Sequence, residues 1–302
     1  MYLSIVILNY HASEKIKNLI HSIKEQRFVG EVIIVDNSED KLEFLKLKDC
    51  ERILTSNPCR VICSDKNAGF SYGTNVGIKN ISNDATHVYI LNPDTVLKFG
   101  SLDYLCSLLQ VLPDVIVSPR GVRMDSGVDW SFGGKLYYLR GRCDVDSVEK
   151  RHTISSDFGT CASVIVPRHF LDEYGLLDED FFLGGEEWEL SIRLRRAGAT
   201  IITPSKIIYE HEISGTHKKY GLPFIYMGQR TKVLFMRKCF PKTFLFWLLL
   251  YLPVAPFLSI RYCIKYKTPL FKTLSLSFIA IAKSISKKRI TKQEFFTIGD
   301  IK

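Results

Sequence analysis

An α/β fold on a parallel sheet is predicted by three observations. Apolar runs of strand length alternate with helical stretches through about the first 120 residues. Three of those runs end in polar clusters: Asn9-Tyr10-His11, Asp36-Asn37-Ser38 and Asn92-Pro93-Asp94. A glycine-rich turn, "NAGFSYGTNVGIKNI", leads into a helix.

The elements follow in order. "LSIVIL" (Leu3–Leu8) is a buried strand. "ASEKIKNLIHSIKEQ" places Ile16, Leu19, Ile20 and Ile23 at helical spacing, with Ser13 as a cap. "EVIIVDNS" (Glu31–Ser38), "RVICSD" (Arg60–Asp65) and "HVYIL" (His87–Leu91) are further strands. Strand and helix in alternation call for a parallel sheet covered on both faces. From about 120 to 180 the pattern is less regular, and "DSGVDWSFGG" reads as loop. Ala162–Val166 is a strand stopped by Pro167. "EEWELSIRLRRAGA" is a helix ended by Gly198, and "TIITPSKIIYEHE" is a late strand region.

The chain has 302 residues, 46% hydrophobic and 24% charged, a globular composition. No two of its 8 cysteines stand at C-x-x-C spacing, so neither a zinc site nor a disulfide framework is expected, and a reducing compartment fits. The N-terminus enters "YLSIVILNY" directly, without the basic flank and cleavage site of a secretory signal. Net charge is +9, unevenly divided. Residues 1–230 hold 27 Lys/Arg against 30 Asp/Glu; residues 231–302 hold 14 against 2. The basic tail also carries the apolar run Phe244–Ile260. That pairing favours an anionic membrane surface over nucleic acid, which takes basic and aromatic residues interleaved on a polar face.

The strand-end clusters carry the chemistry. Asn, Pro and Asp are turn residues, so Asn92-Pro93-Asp94 reads as a turn. It also reads as a metal or phosphate site, because open α/β sheets bind ligands at the carboxyl ends of their strands. Gly69, Gly73 and Gly77 do not make G-x-G-x-x-G or a P-loop, which disfavours a dehydrogenase or P-loop NTPase. Gly77 reads as close helix–strand packing. Glu186, Glu187 and Glu189 open a helix, where the macrodipole stabilises acids. The preceding Phe181-Phe182-Leu183-Gly184-Gly185 brings apolar surface and pliable backbone up to them. A carboxylate in that setting has its pKa raised toward that of a general base.

Taken together and in order, "SIVILNY", "NAGFSYGTNVGI", "LNPD" and "LLDEDFFLGGEEWELSIRLRRAG" resemble inverting glycosyltransferases of family 2, especially the bacterial rhamnosyltransferase-like branch that builds surface polysaccharides. The resemblance covers Leu3 to His211. It implies a GT-A fold, with a nucleotide-sugar half over about 1–120 and an acceptor half over about 121–229. It implies that Asn92 and Asp94 occupy the Asp-x-Asp position, with Asp94 ligating Mg²⁺ or Mn²⁺ and His211 near the metal. It implies that Asn9, Tyr10, Asp36, Asn67, Gly69 and Asn75 line the nucleotide sugar, and that Glu187 or Glu186 is the base. Its expected partners are a nucleotide-sugar donor, dTDP-rhamnose or a UDP-sugar, and a glycan acceptor on polyprenyl diphosphate.

Residues 230–302 are expected to form a separate helical segment lying peripherally on the cytoplasmic face of the bacterial inner membrane, leaving a chain ended at Gln229 able to bind nucleotide. The alternative is a core helix packed on the catalytic half. Phe244–Ile260, with Pro253 and Pro256 inside it, is short for a spanning helix, which needs about 20 residues. Two other functions compete. A nucleotide-sugar pyrophosphorylase would need an N-terminal G-x-G-T-R-L-type loop, which "ILNYHASEK" lacks. A non-catalytic membrane-associated sugar-binding protein would not need acids at Asp94 and Glu187.

Overall fold

The computed structural model describes residues 1–137, 142–145, 153–212, 221–287 and 289–298, with backbone alone at 142–145. Tail positions 288 and 299–302, Asp300 among them, lie outside the described residues.

The central sheet has eight strands. Its parallel part is β3(Cys59–Cys63), β2(Gly30–Asp36), β1(Leu3–Asn9) and β4(His87–Leu91), hydrogen-bonded in that order. Beyond β4 the sheet is mixed. β12(Ser163–Pro167) runs antiparallel to β4, and β6(Val115–Val117), β13(Thr200–Thr203) and β11(Ile154–Ser155) follow. An all-parallel sheet was expected. β12 departs from it, running antiparallel to both β4 and β6; among the described residues no helix lies between β6 and β12 in the chain, so that pair lacks the crossover a parallel connection needs.

β1 shows why the sequence folds this way. Every residue is buried, and the side chains alternate between two cores. Leu3, Ile5 and Ile7 pack with Ile16, Leu19, Ile20 and Ile23 of α1(Ser13–Lys24). Val6 points to the opposite face with Ile78, Val88, Ile90 and Val164. Gly77 belongs to α4(Phe70–Ile78), which lies so close that a Cβ there would stand 2.4 Å from Val6 Cγ1.

A second, four-stranded sheet joins β5(Thr95–Leu97), β14(Ile208–His211), β7(Arg120–Arg123) and β8(Asp129–Ser131). β8 lies inside "DSGVDWSFGG", where a loop was expected. It is held as a strand by pairing with β7 and by Trp130 packing edge-on against Tyr209 at 6.2 Å. The late strand region divides at Pro204 into β13 and β14, which join different sheets.

The tail forms helices Gly221–Cys239, Phe244–Tyr266, Leu270–Ser286 and Lys292–Thr297. They are packed onto the α/β body. One core contains Phe158, Phe181, Phe182 and Ile192 together with Val233, Phe235, Trp247, Tyr251, Ala280, Ile290 and Ile298. Thr231 Oγ1 donates to Gly184 O at 3.2 Å, and Lys238 pairs with Asp178 and Asp180. The Phe244–Tyr266 helix is continuous through both prolines over 23 residues. Phe244, Trp247, Leu248, Tyr251, Ala255 and Ser259 form its buried stripe. Its other face is apolar too and stands in solvent: Leu245, Phe246, Leu249, Leu250, Phe257 and Ile264 are all exposed.

Candidate active site

Strand order reverses about β1, so β1, β2 and β4 deliver their carboxyl ends to one edge of the sheet. Pro93, which has no N–H, ends β4. The Asn92 N–H still donates to Ala162 O at 2.9 Å, and Thr95 Oγ1 donates to Asn92 O at 2.7 Å, closing the turn. β5 then pairs antiparallel with β14, Thr95 opposite His211. That register brings His211 Nε2 to 3.0 Å from Asp94 Oδ1, while Glu212 N donates to Asp94 O at 3.1 Å. The Trp130 ring lies 5.0 Å from the imidazole. His211 Nδ1 and Asn92 Oδ1 are buried and have no hydrogen-bond partner.

A cavity of about 340 Å³ opens over these strand ends. Tyr10, Asn67, Gly69, Asn92 and Asp94 line it, as do His11, Lys15, Asn37, Phe70, Phe182, Leu183, Phe295 and Phe296. Gly69 is required there: its φ is +103°, and a Cβ would stand 2.4 Å from Phe182 O. Asn9, Asp36 and Asn75 stand behind this wall. Asn9 donates to Asp36 Oδ1 at 2.9 Å and to Glu43 at 3.3 Å, and accepts from Ala12 N at 3.0 Å. Asp36 Oδ1 also accepts from Ser38 N at 3.1 Å, leaving Oδ2 buried and unpartnered. Asn75 is committed to Leu177, donating to its carbonyl at 2.8 Å and accepting from its N–H at 3.1 Å. It therefore pins α4 to the loop before Glu186 rather than facing the cavity. A larger cavity, about 540 Å³, is lined by Arg195 and Arg196. Both arginines are engaged there, with Asp157 at 3.1 Å and Cys239 O at 2.7 Å, so its size brings no matching chemistry.

Glu186 and Glu187 begin α7(Glu186–Arg196), three residues past the cavity-lining Leu183. Gly184 and Gly185, at φ +83° and +95°, make the turn into the helix. Glu186 is buried and Glu187 partly exposed. Burial, then the charge of Glu187, pushes the Glu186 carboxyl well above the ordinary range. Burial also raises Glu187, opposed by hydrogen bonds from backbone N–H groups and from Glu186. Both carboxyls are thus held above the ordinary range, Glu186 the more strongly, and Glu186 Oε2 is buried with no hydrogen-bond partner. Glu189 is separate: Arg193 holds it in an ion pair at 2.7 Å.

Divalent metal is the cofactor this donor set suits. Asp94 and His211 touch, and Asn92 Oδ1 is an unclaimed acceptor on the same turn. No group of three or more His, Cys, Asp or Glu side chains able to hold a metal occurs among the described residues. Mg²⁺-type sites commonly use one or two protein ligands completed by substrate phosphates, and these residues fit that pattern.

The sequence profile described as "Glycosyltransferase like family 2" matches residues 2–232. The low-salt glycan biosynthesis hexosyltransferase Agl10 of Haloferax volcanii is 28% identical over 212 residues, 66% of this chain and 63% of that protein. Among solved structures, GalNAc-T7, determined with UDP, GalNAc and Mn²⁺, aligns with a TM-score of 0.65 at 13% identity over 95% of this chain and 56% of its own. The mannosyltransferase PcManGT of Pyrobaculum calidifontis, in complex with GDP-Man and Mn²⁺, aligns at 0.59 and 14% identity over 99% of this chain and 79% of its own. S. aureus TarS residues 1–349 align at 0.57 and 14% identity, over 99% and 87%. The chain thus spans less than two thirds of Agl10 and GalNAc-T7. With the strand-end cavity, the acid pair and a profile match over most of its length, the chain belongs to glycosyltransferase family 2 and is built on the GT-A fold.

Proposed function

We propose that this protein is a metal-dependent, inverting glycosyltransferase. It moves a sugar from dTDP-rhamnose or a UDP-sugar to a glycan acceptor carried on polyprenyl diphosphate. It works at the cytoplasmic face of a bacterial inner membrane, in the synthesis of cell-surface polysaccharide such as O-antigen or capsule. The observation that carries the proposal is Asp94 paired with His211 at the floor of a cavity whose wall leads into the Glu186–Glu187 pair.

The chain's own groups divide the work. Asp36, with one buried oxygen unpartnered, offers an acceptor toward the nucleoside, and Asn9 fixes its other oxygen. Tyr10, Asn67 and Gly69 shape the nucleoside end of the cavity, and Asn92 and Asp94 the diphosphate end. Asp94 and His211 would hold Mg²⁺ or Mn²⁺, which when bound would neutralise charge on the leaving diphosphate. Glu187 takes the proton from the acceptor hydroxyl as that oxygen attacks the anomeric carbon. Glu186, buried beside it, positions Glu187. A single displacement with one base inverts the anomeric centre, through an oxocarbenium-like transition state.

The membrane assignment is supported by the tail. Beside its exposed apolar face, the next helix exposes Phe271, Phe278 and Ile279, and Lys242, Arg261, Lys265 and Lys267 are exposed along the same stretch of chain. The Phe244–Tyr266 helix is long and apolar enough to cross a bilayer, but one face of it is packed on protein. That geometry favours lying in the interface over spanning. The test is nucleotide release from dTDP-, UDP- and GDP-sugars with a lipid-linked acceptor, with and without EDTA, and the anomeric configuration of the product. Retention of configuration, or undiminished release in EDTA, would overturn the mechanism.

A further inference from the structure

Two of the residues that close the donor cavity come from the tail. Phe295 and Phe296, in the Lys292–Thr297 helix, share its wall with Tyr10, Asn37, Asn67 and Gly69. Both rings are partly exposed although they sit in an aromatic cluster. Phe295 lies 5.3 Å from Phe182 and 5.1 Å from Phe296, and Phe296 lies 6.4 Å from Tyr10. Phe296, held by its neighbours and lining the cavity, presents apolar ring surface to it. Flat nucleobases are recognised by such surface.

The helix is held at the cavity by more than these rings. Arg230, fully buried, donates to Glu294 through Nε at 2.7 Å and to Ser284 and Arg289 O at 3.1 Å each. Tyr226 also donates to Glu294. Ile290 N donates to Asp180 O at 2.9 Å, and Thr291 caps the helix by accepting from Glu294 N at 3.2 Å. On the cavity side Lys292 pairs with Glu39, whose carboxylate also accepts from Asn67 N at 3.0 Å.

We infer that the Lys292–Thr297 helix is part of the donor site, with Phe296 contacting the donor's nucleoside and Phe295 holding it there against Phe182. This rests on the glycosyltransferase reading of the cavity. It adds a nucleoside-contacting residue from a segment outside the 2–232 match. Discrimination among nucleoside diphosphates accordingly depends on the tail as well as on the sheet edge.

Binding of UDP, dTDP and GDP to the full chain, each with Mn²⁺, tests this by calorimetry. Phe296→Ala should raise the Kd of the best-bound nucleotide about tenfold, and Phe296→Trp should recover most of the loss. Phe99→Ala, on an exposed ring after β5, should leave the Kd unchanged. Hydrogen exchange on the wild-type chain supplies a readout that does not depend on the variants folding: nucleotide should slow exchange at amides 292–298. If wild type binds a nucleotide while Phe296→Ala keeps its Kd and those amides show no protection, this inference fails and the donor cavity stands. If wild type binds none of the three, the donor reading falls and this inference with it.

Discussion

Asp94 is a quarter exposed, and its carboxylate is paired with a histidine at a strand tip rather than packed in a core. Asp94→Ala should therefore abolish sugar transfer while costing at most about 1–3 kcal/mol of stability, the range for leaving a mostly buried imidazole nitrogen unpaired. Calorimetric melting beside a transfer assay checks both halves. Glu187→Gln keeps shape and removes basicity, so kcat should fall about 10²–10⁴-fold while donor binding survives. If Glu186→Gln is the dead variant and Glu187→Gln is near normal, the two roles are exchanged. The acid pair also sets a pH dependence. Burial raises both carboxyls, so kcat/KM should fall on acidification at a pH above the ordinary carboxylate range. Linkage runs the other way for stability. Between the unfolded value near 4.5 and the raised folded value, the native state holds more protons, so stability falls as pH rises through that window. Glu186→Gln should accordingly be more stable than wild type at pH 7 and gain little at pH 4, as denaturant melts at the two pH values would show.

At the scale of elements, the Arg230–Glu294 pair joins the first tail helix to the last. Burial alone would raise Glu294, but hydrogen bonds from Arg230 and Tyr226 hold its carboxyl below the ordinary range. Its contribution is therefore present above the unfolded pKa and lost as pH falls through the folded one. Glu294→Ala leaves a buried guanidinium without its carboxylate and should cost about 3–5 kcal/mol, measurable by chemical denaturation. Cutting the chain after Gln229 removes most of the core around Phe181 and Phe182; the expected outcome is aggregation or a molten chain, not an independent nucleotide-binding domain. What the sequence made legible follows the same lines. β1, β2, β4 and β12 were readable because their apolar runs are unbroken and end at Pro or polar clusters, and α7 because acids open it, a partial apolar stripe runs through it and Gly198 ends it. Asp94 and the acid pair were readable because carboxylates there interrupt apolar context. The docking of the tail was not, because a helix apolar on all sides gives no sign of which face meets protein. Phe295 and Phe296 were not, because "KQEFFT" has no feature pointing to strands some 250 residues earlier, a separation matched by the 253 between Lys292 and Glu39. Nor could Asn75 be told from a cavity residue, since its bonds to Leu177 cross 102 positions.

For the whole molecule, the proposed membrane contact rests on the division of charge and the one-sided packing of the Phe244–Tyr266 helix. Each basic residue near an anionic surface contributes about 1 kcal/mol before screening, which acts over about 10 Å at 0.1 M salt. The full chain should sediment with anionic vesicles, less with neutral ones, and less again at high salt. Replacing exposed Leu249, Leu250 and Phe257 with Ser should weaken sedimentation without lowering the melting temperature, because none of them lies in the buried stripe. Indifference to anionic vesicles would remove the membrane assignment. The contact of Phe295 and Phe296 with the Tyr10 end of the cavity has a further consequence, in time rather than space. Synthesis proceeds from the N-terminus, so the sheet edge and its acids can form while the wall that completes them does not yet exist. A nascent chain carrying β1 to α7 would expose an unfinished pocket and an unmatched apolar flank until residue 297 has been made. Catalytic competence would arrive only once residue 297 has been made, after the Phe244–Tyr266 helix.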